Sequence, residues 1–281
     1  MDATAPELKA SPRMPVLFIG HGSPMNAIDD NAWRRRWQAV GQEFGARYPQ
    51  PQLILCISAH WLTRGGWWLT GMDRPRTIHD FGGFPQALFA QQYPAPGAPQ
   101  AAAEIAQALR QPDHGAALGL DLEHWGLDHG AWSVLMPMFP EARIPVVQLS
   151  MDYARSPAEH FALARQLQGL RERGVLIVGS GNIVHNLRAI RFDVPDDQAY
   201  DWAVEFDSVV GDWIRQGKLD QLDGFQQLGA VAREAHPTHE HYLPLLHAAG
   251  AVDPDKDAPR FFNQGFQAAS ISMRSVLWDA A

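Results

Sequence analysis

Apolar positions along this chain fall into two rhythms. Continuous apolar runs at 14–19, 52–57, 144–150 and 175–178 have the character of strands buried on both faces, as in parallel sheets. Between them the spacing turns helical: Trp33, Trp37, Val40 and Phe44 lie three or four residues apart across 31–44. Residues 101–109 read as another helix. Pro157, in a first turn, opens a third, carried by Leu163, Leu167 and Leu170 and stopped near Gly174. Further helices are expected over about 197–216 and 240–249, a short strand at 117–122 and a closing strand at 268–277. Strands alternating with helices predict an α/β fold whose central sheet is mostly parallel or mixed. Residues 1–13, with Pro6, Pro12 and no period, are expected to form a flexible N-terminal arm ahead of one domain over 14–281.

Two stretches carry no period. Residues 71–97 are rich in Gly, Pro and aromatics, and 123–132 read as a polar and aromatic loop; loops that long inside a domain are usually functional. Composition narrows the class. With 281 residues, 46% hydrophobic and 19% charged, the chain describes a soluble globular protein. A formal charge of −8 argues against nucleic-acid or anionic-membrane partners, which want basic surface. Cys56 is the single cysteine and lies inside an apolar run, so it reads as a buried small hydrophobe. The first residues show no signal peptide and no run spans a membrane, so the cytoplasm is expected.

The chemistry gathers in histidine. Of 12 histidines, His21, His60 and His185 follow buried strands, where open α/β sheets place their active sites. Gly20 and Gly22 flank His21 and permit a sharp turn; Asn182 and Asn186 flank the His185 loop as polar partners for its ring. His236, His239 and His241 crowd into one short segment without the H-E-x-x-H pattern of zinc peptidases. Asp128 precedes His129 and is placed to orient an imidazole. His114, His160 and His247 read as surface or structural. Converging imidazoles are the usual ligands of zinc, iron or copper.

In order, the chain carries G-H-G-S-P (20–24), S-A-H-W (58–61), H-D-F-x-G-F-P (79–85), L-D-H-G-x-W (127–132), G-S-G-N-x-V-H-N-L (179–187) and H-P-x-x-E-H-Y-x-P-L (236–245). This set resembles the DOPA 4,5-dioxygenase family of class III extradiol ring-cleavage dioxygenases, across about 14–277. The resemblance implies a metal at the mouth of the sheet and catechol ring opening with dioxygen. It implies His21, His60 and His241 as metal ligands, His185 as acid/base and fourth ligand, and His129 as a second catalytic histidine. Where related subunit-B enzymes carry a carboxylate as third ligand, this chain has His241, with Glu240 beside it. Trp61, Phe81, Phe84 and Trp132 are expected to wall the substrate site. His239 replaces a proline of the family pattern and is expected near substrate or metal, leaving open which of His239 and His241 faces the metal. Four imidazoles suit tetrahedral zinc, so Zn²⁺ is expected in isolated protein and Fe²⁺ for ring cleavage. The competing readings are a zinc hydrolase using the same histidines and a non-catalytic scaffold.

Overall fold

The apolar runs assemble into one eight-stranded sheet in a computed structural model that describes residues 8–196 and 198–280. Across the sheet the order is Gly119–Asp121, Trp68–Thr70, Val146–Asp152, Leu53–Thr63, Val175–Gly181, Val16–Gly20, Ser275–Ala280 and Asp257–Phe262. The four strands from Val146–Asp152 to Val16–Gly20 are mutually parallel and are buried on both faces, as their continuous apolar character requires. Antiparallel neighbours at both flanks make the sheet mixed.

Side chains alternate between two cores. Phe18, Leu55 and Ile177 point to one face, packing with Leu163, Phe206 and Leu246 from the helices Pro157–Arg165, Asp201–Arg215 and Leu243–Gly250. Leu17, Ile54 and Val178 point to the other, against Trp37, Trp132 and Leu135 from Ala32–Glu43 and His129–Met138. The chain is a single-domain α/β protein with helices on both faces of its sheet.

Several expectations shift. The strand expected to stop at residue 57 runs on to Thr63, with a register shift between Ile57 and Leu62, so His60 sits in an irregular part of a strand. The loop expected over 123–132 holds the start of helix His129–Met138. That helix is buried almost all round and contains Pro137, so it shows no amphipathic period. Of the expected arm, residues 1–7 lie outside the described residues. The rest is tied down: Leu8 is buried, Lys9 and Gln52 exchange two hydrogen bonds, and the Ser11 amide donates to Glu172. No helix among the described residues is long and apolar enough to cross a membrane.

Candidate metal centre

His21 leaves the end of strand Val16–Gly20 on a turn in which Gly22 takes a φ of 59°, a left-handed conformation that glycine adopts freely. Its Nδ1 lies 3.0 Å from the Ser180 hydroxyl on the adjacent parallel strand. That hydroxyl donates its proton to the Gly130 carbonyl, so its oxygen accepts from His21. The proton of His21 is thereby on Nδ1, and Nε2 keeps a free lone pair. His241 repeats the device. It sits in the turn before helix Leu243–Gly250, with Nδ1 3.2 Å from Oε1 of Glu240, which also accepts from the Thr238 hydroxyl. The Asn182 amide donates to the His241 carbonyl and fastens this turn to the end of strand Val175–Gly181.

His60 turns Nδ1 toward Oδ2 of Asp80, 3.4 Å away, while its Nε2 is buried with no hydrogen-bond partner. His129 is the first residue of its helix, capped by the Asp128 carboxylate, and its ring centroid is 3.8 Å from that of His60. His185 lies beyond the end of strand Val175–Gly181, its amide bonded to Ala235, and its ring stacks on His241 at 3.4 Å.

The rings of His21, His60 and His241 stand 5.1–5.3 Å apart, centroid to centroid. Donor atoms of His21, His60 and His129 lie within 4.8 Å of one another, as do those of His185, Glu240 and His241. Burial holds the imidazoles neutral, reinforced by their mutual repulsion: His21 and His241 fall well below the ordinary range, His60 to about 3 and His185 to about 4. Burial pushes the Asp80 carboxyl upward, but His129 and His60 outweigh it and bring it down to about 2. Neutral imidazoles whose free nitrogens converge, one of them buried and orphaned, fit a divalent metal ion.

Above the histidines opens a cavity of about 580 Å³ walled by Phe81, Phe84 and Ile271. Three residues expected at the substrate site lie elsewhere. Trp61 follows His60 on the strand, so the pleat sends it to the opposite face, where it stacks on Trp125 at 5.7 Å. Trp132 is fully buried behind Phe81 and donates Nε1–H to the Ile78 carbonyl. His239 turns outward and stacks on Tyr153 at 4.8 Å, which leaves His241 facing the cluster.

The partners of two rings also differ from expectation. Asp128 does not reach the His129 ring; its oxygens are taken by Ser58, Gln148, Trp125 and the helix amide of Ala131. The carboxylate beside His129 is Asp80, from the motif H-D-F-x-G-F-P. Asn182 and Asn186 spend their side chains on the carbonyls of Ser272 and Glu234 rather than on His185. Asp80 and Ser180 thus escaped sequence reasoning; each stood inside a recognised motif, and what concealed its role was distance along the chain from its partner.

Imidazoles brought to the ends of parallel strands beneath an aromatic cavity define a metal-dependent enzyme acting on a small planar molecule. Residues 15–275 match the family described as the catalytic LigB subunit of aromatic ring-opening dioxygenase, and the chain belongs to this family. It is 44% identical over 273 residues to the 4,5-DOPA dioxygenase extradiol of Escherichia coli (strain K12), covering 96% of each chain. It is 36% identical to the protein of the same name from Beta vulgaris, over 88% of this chain and 90% of the relative. A crystal structure of an uncharacterized protein from Escherichia coli K12 superposes with a TM-score of 0.79 at 39% identity, covering 94% of this chain and 99% of that one. The protein is an aromatic ring-opening dioxygenase of extradiol type, from a metal-dependent family.

Proposed function

We propose that the chain opens a catechol of the L-DOPA type by 4,5-cleavage, at one divalent metal held by His21, His60 and His241 and reached by His185. The observation that carries this reading is the set of outer contacts on Nδ1 of His21, His60 and His241, which leaves Nε2 of each free while all three rings line the cavity. The names of the relatives from Escherichia coli and Beta vulgaris support the substrate class. Four imidazoles favour Zn²⁺ in the protein as isolated, and ring cleavage calls for Fe²⁺. Bound there, Fe²⁺ supplies Lewis acidity toward the catechol oxygens and the electrons that make dioxygen reactive.

The protein's own groups orient the ring and move its protons. Phe81 and Phe84 offer apolar faces for a planar aromatic and exclude water from it. His185, neutral and at the cavity wall, takes a catechol hydroxyl proton and returns it as the carbon–carbon bond beside the diol breaks. His129, its ring 3.8 Å from that of His60, lines the same cavity as a second proton-handling group. Both oxygen atoms of dioxygen end in the ring-opened product.

The test is metal-stripped protein reloaded anaerobically with Fe²⁺ and given L-DOPA with heavy-isotope dioxygen. Loss of catechol absorbance in step with oxygen uptake, and a product carrying both labelled atoms, is the expected outcome. An iron-loaded protein that leaves L-DOPA and simple catechols intact would overturn the reading, and oxygen-independent hydrolysis by the zinc form would replace it with a hydrolase.

A further inference from the structure

Asp80 lies in the loop between strand Arg76–Thr77 and helix Gln86–Phe89, and reaches His129, 49 residues further along the chain. Its Oδ1 accepts the backbone N–H of His129 at 2.9 Å and lies 3.0 Å from Nδ1 of the same residue. Its Oδ2 lies 3.4 Å from Nδ1 of His60. The His129 amide is one of the unpaired donors in a helix's first turn, at the positive end of the helix dipole. This fixes the carboxylate independently of either ring. One anchored anion therefore touches two imidazoles whose centroids are 3.8 Å apart.

The two nitrogens of an imidazole point to opposite sides of the ring. A carboxylate close to Nδ1 favours a proton there, and Nε2 is then left as the acceptor. Nε2 of His60 is buried and unpartnered. Nδ1 of His129, 3.0 Å from Oδ1, makes no aligned hydrogen bond, so Asp80 acts on that ring through its charge at short range. Asp128, the nearer carboxylate in sequence, is fully engaged elsewhere and cannot substitute.

We propose that Asp80 is a positioning residue that holds both His60 and His129 as Nδ1–H tautomers, presenting one Nε2 to the metal and the other to the substrate. Asp80 thus couples a ligand to a proton-handling group through one side chain. The proposal rests on the metal-site reading above, and its test is read without turnover. Asp80→Asn is near-isosteric but offers a single acceptor oxygen to the His129 amide and two ring N–H groups; Asp80→Glu keeps the charge.

Zn²⁺ affinity is measured on each folded variant by competition with a chromophoric chelator, and ring-nitrogen chemical shifts report the tautomers of the zinc-loaded protein. In Asp80→Asn, affinity is expected to fall about 10–100-fold, with changed ring shifts for both His60 and His129. Asp80→Glu is expected to recover most of the affinity and both shifts. Unchanged affinity and shifts in Asp80→Asn would overturn the proposal. So would equal loss in the two variants with wild-type shifts in the folded fraction, the signature of a packing role. Should the wild-type protein bind Zn²⁺ and fail to cleave catechols, the function above falls while these measurements still decide the role of Asp80.

Discussion

Replacing Gly130 with alanine adds one methyl group against the His60 ring and the Ser58–Asp128 pair. An added Cβ would stand 2.3 Å from the Ser58 hydroxyl oxygen, 2.8 Å from Cδ2 of His60 and 3.3 Å from Oδ1 of Asp128. Ordinary contact begins near 3.5 Å, so Ser58 must retreat by about 1 Å and the His60 ring by about 0.7 Å. Neither is free to do so cheaply. Ser58 donates to Asp128 at 2.6 Å, and Asp128 is fully buried, so losing that donor costs about 1–3 kcal/mol. Overpacking the neighbouring side chains costs about the same again. Against this, alanine is favoured over glycine in a helix by about 1 kcal/mol.

The net expectation for Gly130→Ala is a loss of about 1–5 kcal/mol in urea unfolding, set by the balance of those terms. Turnover of a catechol by the iron-loaded enzyme should fall by about 100-fold, because displacements near 1 Å at a reacting site cost that much. Zn²⁺ affinity should fall with it, because the displaced ring is that of His60. A variant as stable as wild type, or more so, with unchanged metal affinity and turnover would refute the reasoning, since the helix preference would then have acted alone.

Glu240→Gln removes the carboxylate behind His241 and is expected to weaken Zn²⁺ binding about 10–100-fold by chelator competition; unchanged affinity would show that Glu240 does not orient the ring. Arg171 is fully buried and bonded to Asp257 at 2.7 Å, so Arg171→Met leaves a buried carboxylate short of a partner, which Arg13 at 3.2 Å only partly relieves. A loss of about 3–5 kcal/mol in urea unfolding is expected. Away from the site, His160 donates to the Asp152 carbonyl and meets His247 at 3.0 Å, and burial lowers it to about 4. Its unfolded form titrates near 6.5, so the stability it contributes is whole above that pH and is lost as pH falls toward 4, by about 3 kcal/mol. The difference in unfolding free energy between wild type and His160→Gln, followed from pH 7.5 to 4, should shrink as pH falls; a pH-independent difference would contradict the buried, neutral assignment. Trp61→Leu and His239→Ala alter rings that face Trp125 and Tyr153 and line no part of the cavity, and should leave kcat and KM for the catechol within about twofold in steady-state assays.

The parallel centre of the sheet was legible because each of its strands is buried on both faces and writes itself as an unbroken apolar run, such as 175–178. The edges were not. Asp257–Phe262 starts with a charge and contains Pro259, tolerable because the strand is the last in the sheet, and Trp68–Thr70 is three residues long. The helix His129–Met138 was concealed for the opposite reason: it is apolar nearly all round, and periodicity detects contrast. Of the site, the five histidines that line the cavity were readable from their motifs, and so were Phe81 and Phe84. Trp61 lies elsewhere because successive side chains of a pleated strand face opposite ways, and Trp132 because the stretch expected as a loop is the start of a helix that packs it into the core behind Phe81.

The contacts behind the histidines follow a different logic from the histidines themselves. The rings proposed as ligands each meet a different kind of group: a serine hydroxyl for His21, an aspartate for His60, a glutamate for His241. In the proposed site their shared task is to favour a proton on Nδ1, and any acceptor of suitable reach performs it. Their residue types therefore carry no common signal, whereas the chemistry of a divalent ion asks for imidazoles at all three proposed ligand positions. Asp80 is the case where this matters most, since its two oxygens serve two rings from a loop distant in sequence from both strand and helix. A site of this kind announces its inner residues in sequence and keeps its outer ones for the fold to supply.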